Sequence, residues 1–213
     1  AVAVAVAVAV AAAAAVVVVV VVVCVPTDPS NVALPQQPLH QCLFPRAAGY
    51  RETFSLVTNP YKCKIGGVTL LGHSGQPVSD IARYSNAGAG VEIDILEATL
   101  RWQHLAPTAP DTLPCFPFKS RDPFVLAGTV PDVMYTANAK EFATKLVTLD
   151  DGHEIRLISV PNFSTTGQVV LLNLATKECR SMEVSVDVSM LESDMMDIDE
   201  DDESVDSAKS QSP

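Results

Sequence analysis

Twelve residues constrain this chain more than any other stretch: Leu70-Leu-Gly-His-Ser-Gly-Gln-Pro-Val-Ser-Asp-Ile81. An apolar strand ends at Gly72, the chain turns through His73, Ser74 and Gly75, and Pro77 opens a helix. Pro is favoured at the first helical position, where its missing N–H costs nothing, and Asp80 is expected in the first turn, facing the positive end of the helix dipole. A strand, a glycine-bearing turn and a helix N-terminus is where α/β proteins place metals, phosphates and nucleophiles. The question it poses is whether His73 and Ser74 carry chemistry or are the remnant of a site that once did.

The 213 residues suit one medium domain, or most of one. The chain opens without a Met, which reads as a fragment or a processed product. Its formal net charge of −11 is unevenly spread: from Glu192 onward nine acidic residues face one Lys, a local −8 that leaves −3 for everything before. The body is nearly neutral and has no basic stripe, so there is no electrostatic case for direct duplex binding. Any link to nucleic acid must pass through partners. The five cysteines, Cys24, Cys42, Cys63, Cys115 and Cys179, are odd in number and form no Cys-x-x-Cys pair. A structural zinc site is therefore not expected, and reduced, mostly buried thiols of an intracellular protein are the simplest account.

Ala1 to Val23 is five Ala-Val repeats, five further Ala and eight Val. It is long and apolar enough to span a bilayer, but no Lys, Arg, Trp or Tyr flanks it as an interfacial anchor. It also lacks the positive n-region of a signal sequence. Low-complexity sequence without selected structure is the preferred reading, and residues 1–23 are left outside the expected fold. Val25 to Arg46 is Pro-rich and reads as extended loop packed across a domain surface.

Regular structure is expected from Phe54. Strands are read at Phe54 to Asn59, Tyr61 to Ile65 and Val68 to Leu71, with Gly66-Gly67 as a hairpin turn. A short helix to about Tyr84 follows, then the clearest helix, Val91 to about Leu105, whose Ile93, Leu96 and Leu100 share one face with Ile95 and Trp102 beside them. A second Pro-rich stretch, Ala106 to Pro123, precedes strand signals at Asp132 to Tyr135, Phe142 to Thr148, Ile155 to Val160, Val169 to Leu174 and Cys179 to Val188. Strands and helices interleave before a closing β-meander, which suggests an α/β or α+β layered sheet over residues 24–188. Residues 189–213 read as a disordered acidic tail.

Three strings are more specific together than any one alone: Asp28-Pro-Ser-Asn-x-x-Leu-Pro-Gln-Gln-Pro-Leu-His40, Gly72-x-Ser-Gly-Gln-x-Val-Ser-Asp-Ile81 and His104-x-x-Pro-Thr-Ala-Pro-Asp-Thr-Leu113. In this order and spacing, with Cys115-Phe-Pro-Phe and Asp122-Pro-Phe after them, the chain resembles the small-subunit family of eukaryotic DNA polymerase delta from about Asp28 to Val186. The resemblance implies a calcineurin-like phosphoesterase fold, a β-sandwich with flanking helices, here degenerate and truncated at the N-terminus. An OB domain and the first metal-binding motifs would lie upstream of Ala1. Without them the expectation is that these residues do not fold alone.

An active phosphoesterase of that fold needs two metals held by Asp, Asn and His. The resemblance places its Gly-Asn-His-Asp motif where this chain reads Val25-Pro26-Thr27-Asp28, so only Asp28 survives. A ligand His belongs at about Ser74, one residue from His73. The last motif, Gly-His-x-His, falls at Ala137-Asn138-Ala139-Lys140, without imidazole and with an ammonium that would repel a metal. A Ser74/His73 nucleophile pair is disfavoured because adjacent side chains point apart and no third group orients the His. His40 and His104 are expected in packed loops and His153 at a hairpin tip. No catalytic, cofactor-binding or metal-binding residue is therefore assigned.

By resemblance this is a nuclear, non-catalytic scaffold of the polymerase delta complex in strand elongation and repair synthesis. It would bridge the catalytic subunit, through that subunit's metal-binding C-terminal domain, to the third accessory subunit. It would meet DNA only through the complex and no membrane at all. A residual metal-dependent phosphodiesterase, or a membrane-anchored or self-associating protein organised by Ala1 to Val23, are the competing readings.

Overall fold

A computed structural model describes residues 4–12, 15–23, 28–85, 91–126, 128 and 130–184. The Val25-Pro26-Thr27 part of the first motif and the acidic tail lie outside the described residues. The fold is α+β, built on a mixed five-stranded sheet. Its strands are β4 (Tyr61–Ile65), β5 (Val68–His73), β6 (Val133–Ala139), β7 (Ala143–Thr148) and β8 (Glu154–Pro161), in spatial order β4-β5-β6-β8-β7. The inner pairs β5-β6 and β6-β8 are parallel, and the edge strands β4 and β7 are antiparallel to their neighbours.

The inner strands are buried on both faces, as parallel strands must be. On β6, Val133 and Tyr135 face one core while Met134 faces the other; Leu70 and Leu71 divide in the same way on β5. The Met134 face is covered by α1 (Gln76–Ala82), α2 (Val91–Arg101) and the Pro-rich loops, which together bury Leu71, Leu96, Leu100, Phe124, Met134 and Leu157. Opposite lies the hairpin of β9 (Gln168–Leu172) and β10 (Cys179–Glu183), whose Val170 and Leu172 pack on Leu70, Tyr135 and Ile158. The short helical turn α3 (Phe163–Thr166) leads into it, N-capped by Asn162.

Elsewhere β1 (Val4–Ala12) and β2 (Ala15–Val23) pair antiparallel, and β2 pairs parallel with β3 (Phe54–Val57). The Ala/Val run thus takes part in a sheet that includes a strand outside it.

Three local expectations need correction. The closing strands do not form a meander, because β7 peels to the edge and β8 doubles back to lie parallel beside β6. Burial explains this: β7 leaves Thr144, Lys145 and Leu146 exposed at the edge, whereas β8 buries Ile155 and Leu157 on one side and Ile158 and Val160 on the other. The helix expected to reach Leu105 stops at Arg101, because Gln103 adopts φ 55° and His104 N–H turns back to Thr99 O at 3.1 Å. Asp80 is not in a first turn. Gln76, not Pro77, opens α1, and Asp80 is a buried acceptor for the Thr112 hydroxyl at 2.6 Å, tying the second Pro-rich loop to the helix.

Candidate functional site

The carboxyl ends of β5, β6 and β8 open at one edge of the sheet, where α/β proteins gather ligands. What gathers here is a network of side-chain amides around one hydroxyl. Asn59 and Gln36, both 0 % exposed, exchange backbone hydrogen bonds and hold two loops together. Asn59 Nδ2 lies 2.7 Å from Gln36 Oε1, 2.7 Å from Ser74 Oγ and 3.0 Å from Gln76 Oε1, while Asn59 Oδ1 accepts the Ser74 N–H at 3.1 Å. Gln76 Nε2 donates to Gln36 Oε1 at 2.9 Å, Gln36 Nε2 to the Asn31 carbonyl at 2.8 Å, and the Ser74 hydroxyl bonds Gln76 Oε1. From β6, Asn138 Nδ2 closes the network on the Ser74 carbonyl at 2.7 Å.

No member of this network carries charge, and its amide oxygens already accept N–H or O–H groups. The oxygens a divalent cation would take are committed to these hydrogen bonds, and no carboxylate or imidazole belongs to the network to supply charge. Its chemical competence is positional: a satisfied buried polar network fixes one arrangement of the chain. The turn itself is fixed by Gly75, at φ 104°, whose missing Cβ lets the Ala137 carbonyl approach.

His73 points away from this network, on the face of β5 that carries Leu71. Its Nδ1 accepts the Gly75 N–H at 3.1 Å, which leaves the proton on Nε2 in the neutral ring. That Nε2 is buried and finds no hydrogen-bond partner among the described residues. Burial pushes the pKa down from 6.5 to about 4, so the ring is neutral at pH 7. The imidazole therefore does not bond the Ser74 hydroxyl, which is held by amides instead.

The other residues singled out by the sequence are scattered. Asp28 is buried in the first Pro-rich loop. His40 caps a 3-10 turn by accepting the Cys42 N–H at 3.2 Å, and His153 follows the β7–β8 turn. His104, half-buried, lies 3.1 Å from Asp122 through Nε2 and accepts the Ala106 N–H through Nδ1. Lys140 is exposed just past β6. Cys42, Cys63, Cys115 and Cys179 are free thiols, and burial pushes the pKa of Cys63 and Cys179 up. Among the described residues no three His, Cys, Asp or Glu side chains come together as a cation site, and no helix is long and apolar enough to cross a membrane.

Asn59 is the functional residue that sequence reasoning missed. The sequence reads it as the last residue of a strand, and only its pairing with Gln36 reveals it as the hub of the network. Gln36, Gln76 and Asn138 were visible as motif positions, but not as one cluster.

Residues 10–144, more than half of the chain, match the family model for the B subunits of DNA polymerases alpha and epsilon. The chain is 46% identical over 162 residues to DNA polymerase delta subunit 2 of Drosophila melanogaster, covering 76% of this chain and 37% of that protein. It is 43% identical over 162 residues to the DNA polymerase delta small subunit of Arabidopsis thaliana, with coverage of 76% and 36%. With the small subunit of Saccharomyces cerevisiae it shares 38% identity over 186 residues, with coverage of 75% and 38%. The chain thus spans less than two fifths of the length of each of these relatives. The match over the organising turn and both Pro-rich loops places the chain in the family of DNA polymerase alpha/epsilon B subunits.

Proposed function

We propose that the protein carrying this chain is a non-catalytic accessory subunit of DNA polymerase delta, acting in the nucleus in strand elongation and repair synthesis. The observation that carries this reading is the 46% and 43% identity to DNA polymerase delta small subunits from an insect and a plant. It would bridge the catalytic subunit, through that subunit's metal-binding C-terminal domain, to the third accessory subunit, and meet DNA only through the assembled complex. Residues 24–188 form its share of a degenerate calcineurin-like phosphoesterase domain, with residues 1–23 outside that domain and 189–213 a solvated acidic tail.

One feature of the site supports a structural role. At the ligand-gathering edge of the sheet stand Gln36, Asn59, Ser74, Gln76 and Asn138, all neutral and mutually bonded. Such a network cannot lower the pKa of a bound water as a two-metal centre does. It stiffens the turn and the loops, which suits a surface on which other chains assemble.

The test is co-purification of the complete protein with the polymerase delta catalytic subunit, paired with hydrolysis of bis-p-nitrophenyl phosphate in Mn²⁺. Stable co-purification with hydrolysis no faster than buffer is the expected result. Hydrolysis abolished by EDTA, without co-purification, would overturn the reading in favour of a surviving phosphodiesterase.

A further inference from the structure

Beside the edge strand β4, on the face that carries Leu71, lies an open cleft of about 510 Å³. Thr58, Pro60 and Lys62 alternate along its floor, and Lys62 stands opposite Leu71 in the β4-β5 register. Both Pro-rich segments and their flanks contribute to it, one through Pro35 and the other through Leu105, residues 121–123 and residues 125–126. Prolines and aliphatic side chains make its walls, in the size range of a recognition pocket.

The charges at this cleft run against those of the chain. Lys62 and Arg121 both line it, both are exposed, and neither forms an ion pair among the described residues. The nearby carboxylate, Asp122, is already committed to His104 at 3.1 Å and to the Phe124 N–H at 2.8 Å. In a chain of net charge −11, two uncommitted cations flank an apolar hole.

We propose that this cleft receives a short acidic–apolar segment of a partner protein, with one or two bulky aliphatic or aromatic side chains in the hole and flanking Asp or Glu carboxylates on Lys62 and Arg121. The inference rests on the accessory-subunit reading, because it supplies the kind of contact such a subunit makes. Nucleic acid is the poorer fit. Its affinity comes from runs of cations along the phosphates and from aromatic platforms under the bases, and no aromatic ring lines this cleft. A protein segment uses both halves of the site: burial of apolar surface for affinity, and opposite charge for orientation and approach.

The test uses the complete protein and a fluorescein-labelled peptide, Asp-Glu-Leu-Phe-Asp-Glu, followed by fluorescence anisotropy. Binding is expected with a dissociation constant of roughly 10–100 μM. It should weaken as NaCl rises from about 50 to about 300 mM. The Lys62→Glu/Arg121→Glu double variant should lose about tenfold or more in affinity, with its melting temperature unchanged because both side chains are exposed. Val125→Glu, which crowds the cleft from its half-exposed rim, should lose affinity in the same way. Equal binding of Lys-Lys-Leu-Phe-Lys-Lys, unaltered binding by the double variant, or preferential binding of an oligo(dT) probe would overturn the proposal. If the complete protein co-purifies with the catalytic subunit yet binds no acidic peptide, the cleft inference falls and the accessory reading stands. If the peptide binds but neither polymerase subunit is captured, the cleft stands and the accessory reading falls.

Discussion

Gly75 concentrates the constraints on the organising turn in one residue. It holds φ 104° as the residue before α1, and a Cβ there would run into the Ala137 carbonyl, a backbone atom that cannot swing aside. Gly75→Ala combines left-handed strain with this clash and is expected to cost about 2–4 kcal/mol, read as a drop in the urea midpoint of the complete protein. Its neighbour His73 makes stability depend on pH in a definite direction. Burial holds the folded pKa at about 4 against the ordinary 6.5, so between those values the unfolded chain takes up a proton that the folded chain refuses. The contribution of His73 is full above about pH 6.5 and falls as pH is lowered towards 4, by at most about 3 kcal/mol. His73→Gln should flatten that slope in denaturation curves taken from pH 7 to 4. An unchanged slope would locate the acid sensitivity elsewhere. Neither effect is written in the sequence alone: Gly75 was visible as a turn residue, but the carbonyl it must avoid arrives from a strand more than sixty positions away.

Helix α2 shows which forces hold an element in place. On one side Leu96 is 0 % exposed among the core of the helix-facing layer. On the other, Glu97 lies 2.6 Å from Lys145 and 2.7 Å from Arg101, whose hydrogen bonds hold its carboxyl below the usual range. Solvent screens such surface pairs, whereas a buried Leu leaves a cavity when truncated. Leu96→Ala should therefore cost about 2–5 kcal/mol in chemical denaturation, and Glu97→Gln only a small fraction of that. A comparable loss from the two would mean that the charged side carries the helix. The apolar face of α2 was legible because its spacing is local. Its end was not: the sequence carries the helix to about Leu105, but the Leu105 N–H bonds the Phe124 carbonyl at 2.9 Å and the residue belongs to the loop. The strands from β3 onward were legible for the same reason, whereas β1 and β2 in the Ala/Val run were not, nor was the position of β7, because order in a sheet is settled by which strand can be buried on both faces. Asn59 marks the limit. Its role depends on Gln36, Ser74 and Gln76 converging from three segments, and no local pattern encodes that meeting.

Across the whole molecule, the two larger sheets differ in how much their sequences specify. In the five-stranded sheet, register is pinned by particular residues. Gly72 must lie opposite Tyr135, whose ring occupies the space a Cβ would need, and the Thr69 N–H must reach the Asp132 carboxylate at 2.8 Å. A two-residue slip would break both. In β1 and β2 the pairing runs from Val4 opposite Val23 to Ala12 opposite Ala15, and eight consecutive valines make up Val16 to Val23. A slip of two residues there pairs the same residue types again along most of the run, so the hydrogen-bonded ladder forms without a unique register. Pairings of nearly equal energy interconvert through local opening, which lets solvent reach the amides. Amide hydrogen exchange on the complete protein should therefore proceed at least about tenfold faster across Ala15–Val23 than across β5, β6 and β8 at the same pH. Equal protection would mean that contacts with β3, where Val20 to Val23 pair with Phe54 to Val57, fix one register for the whole run.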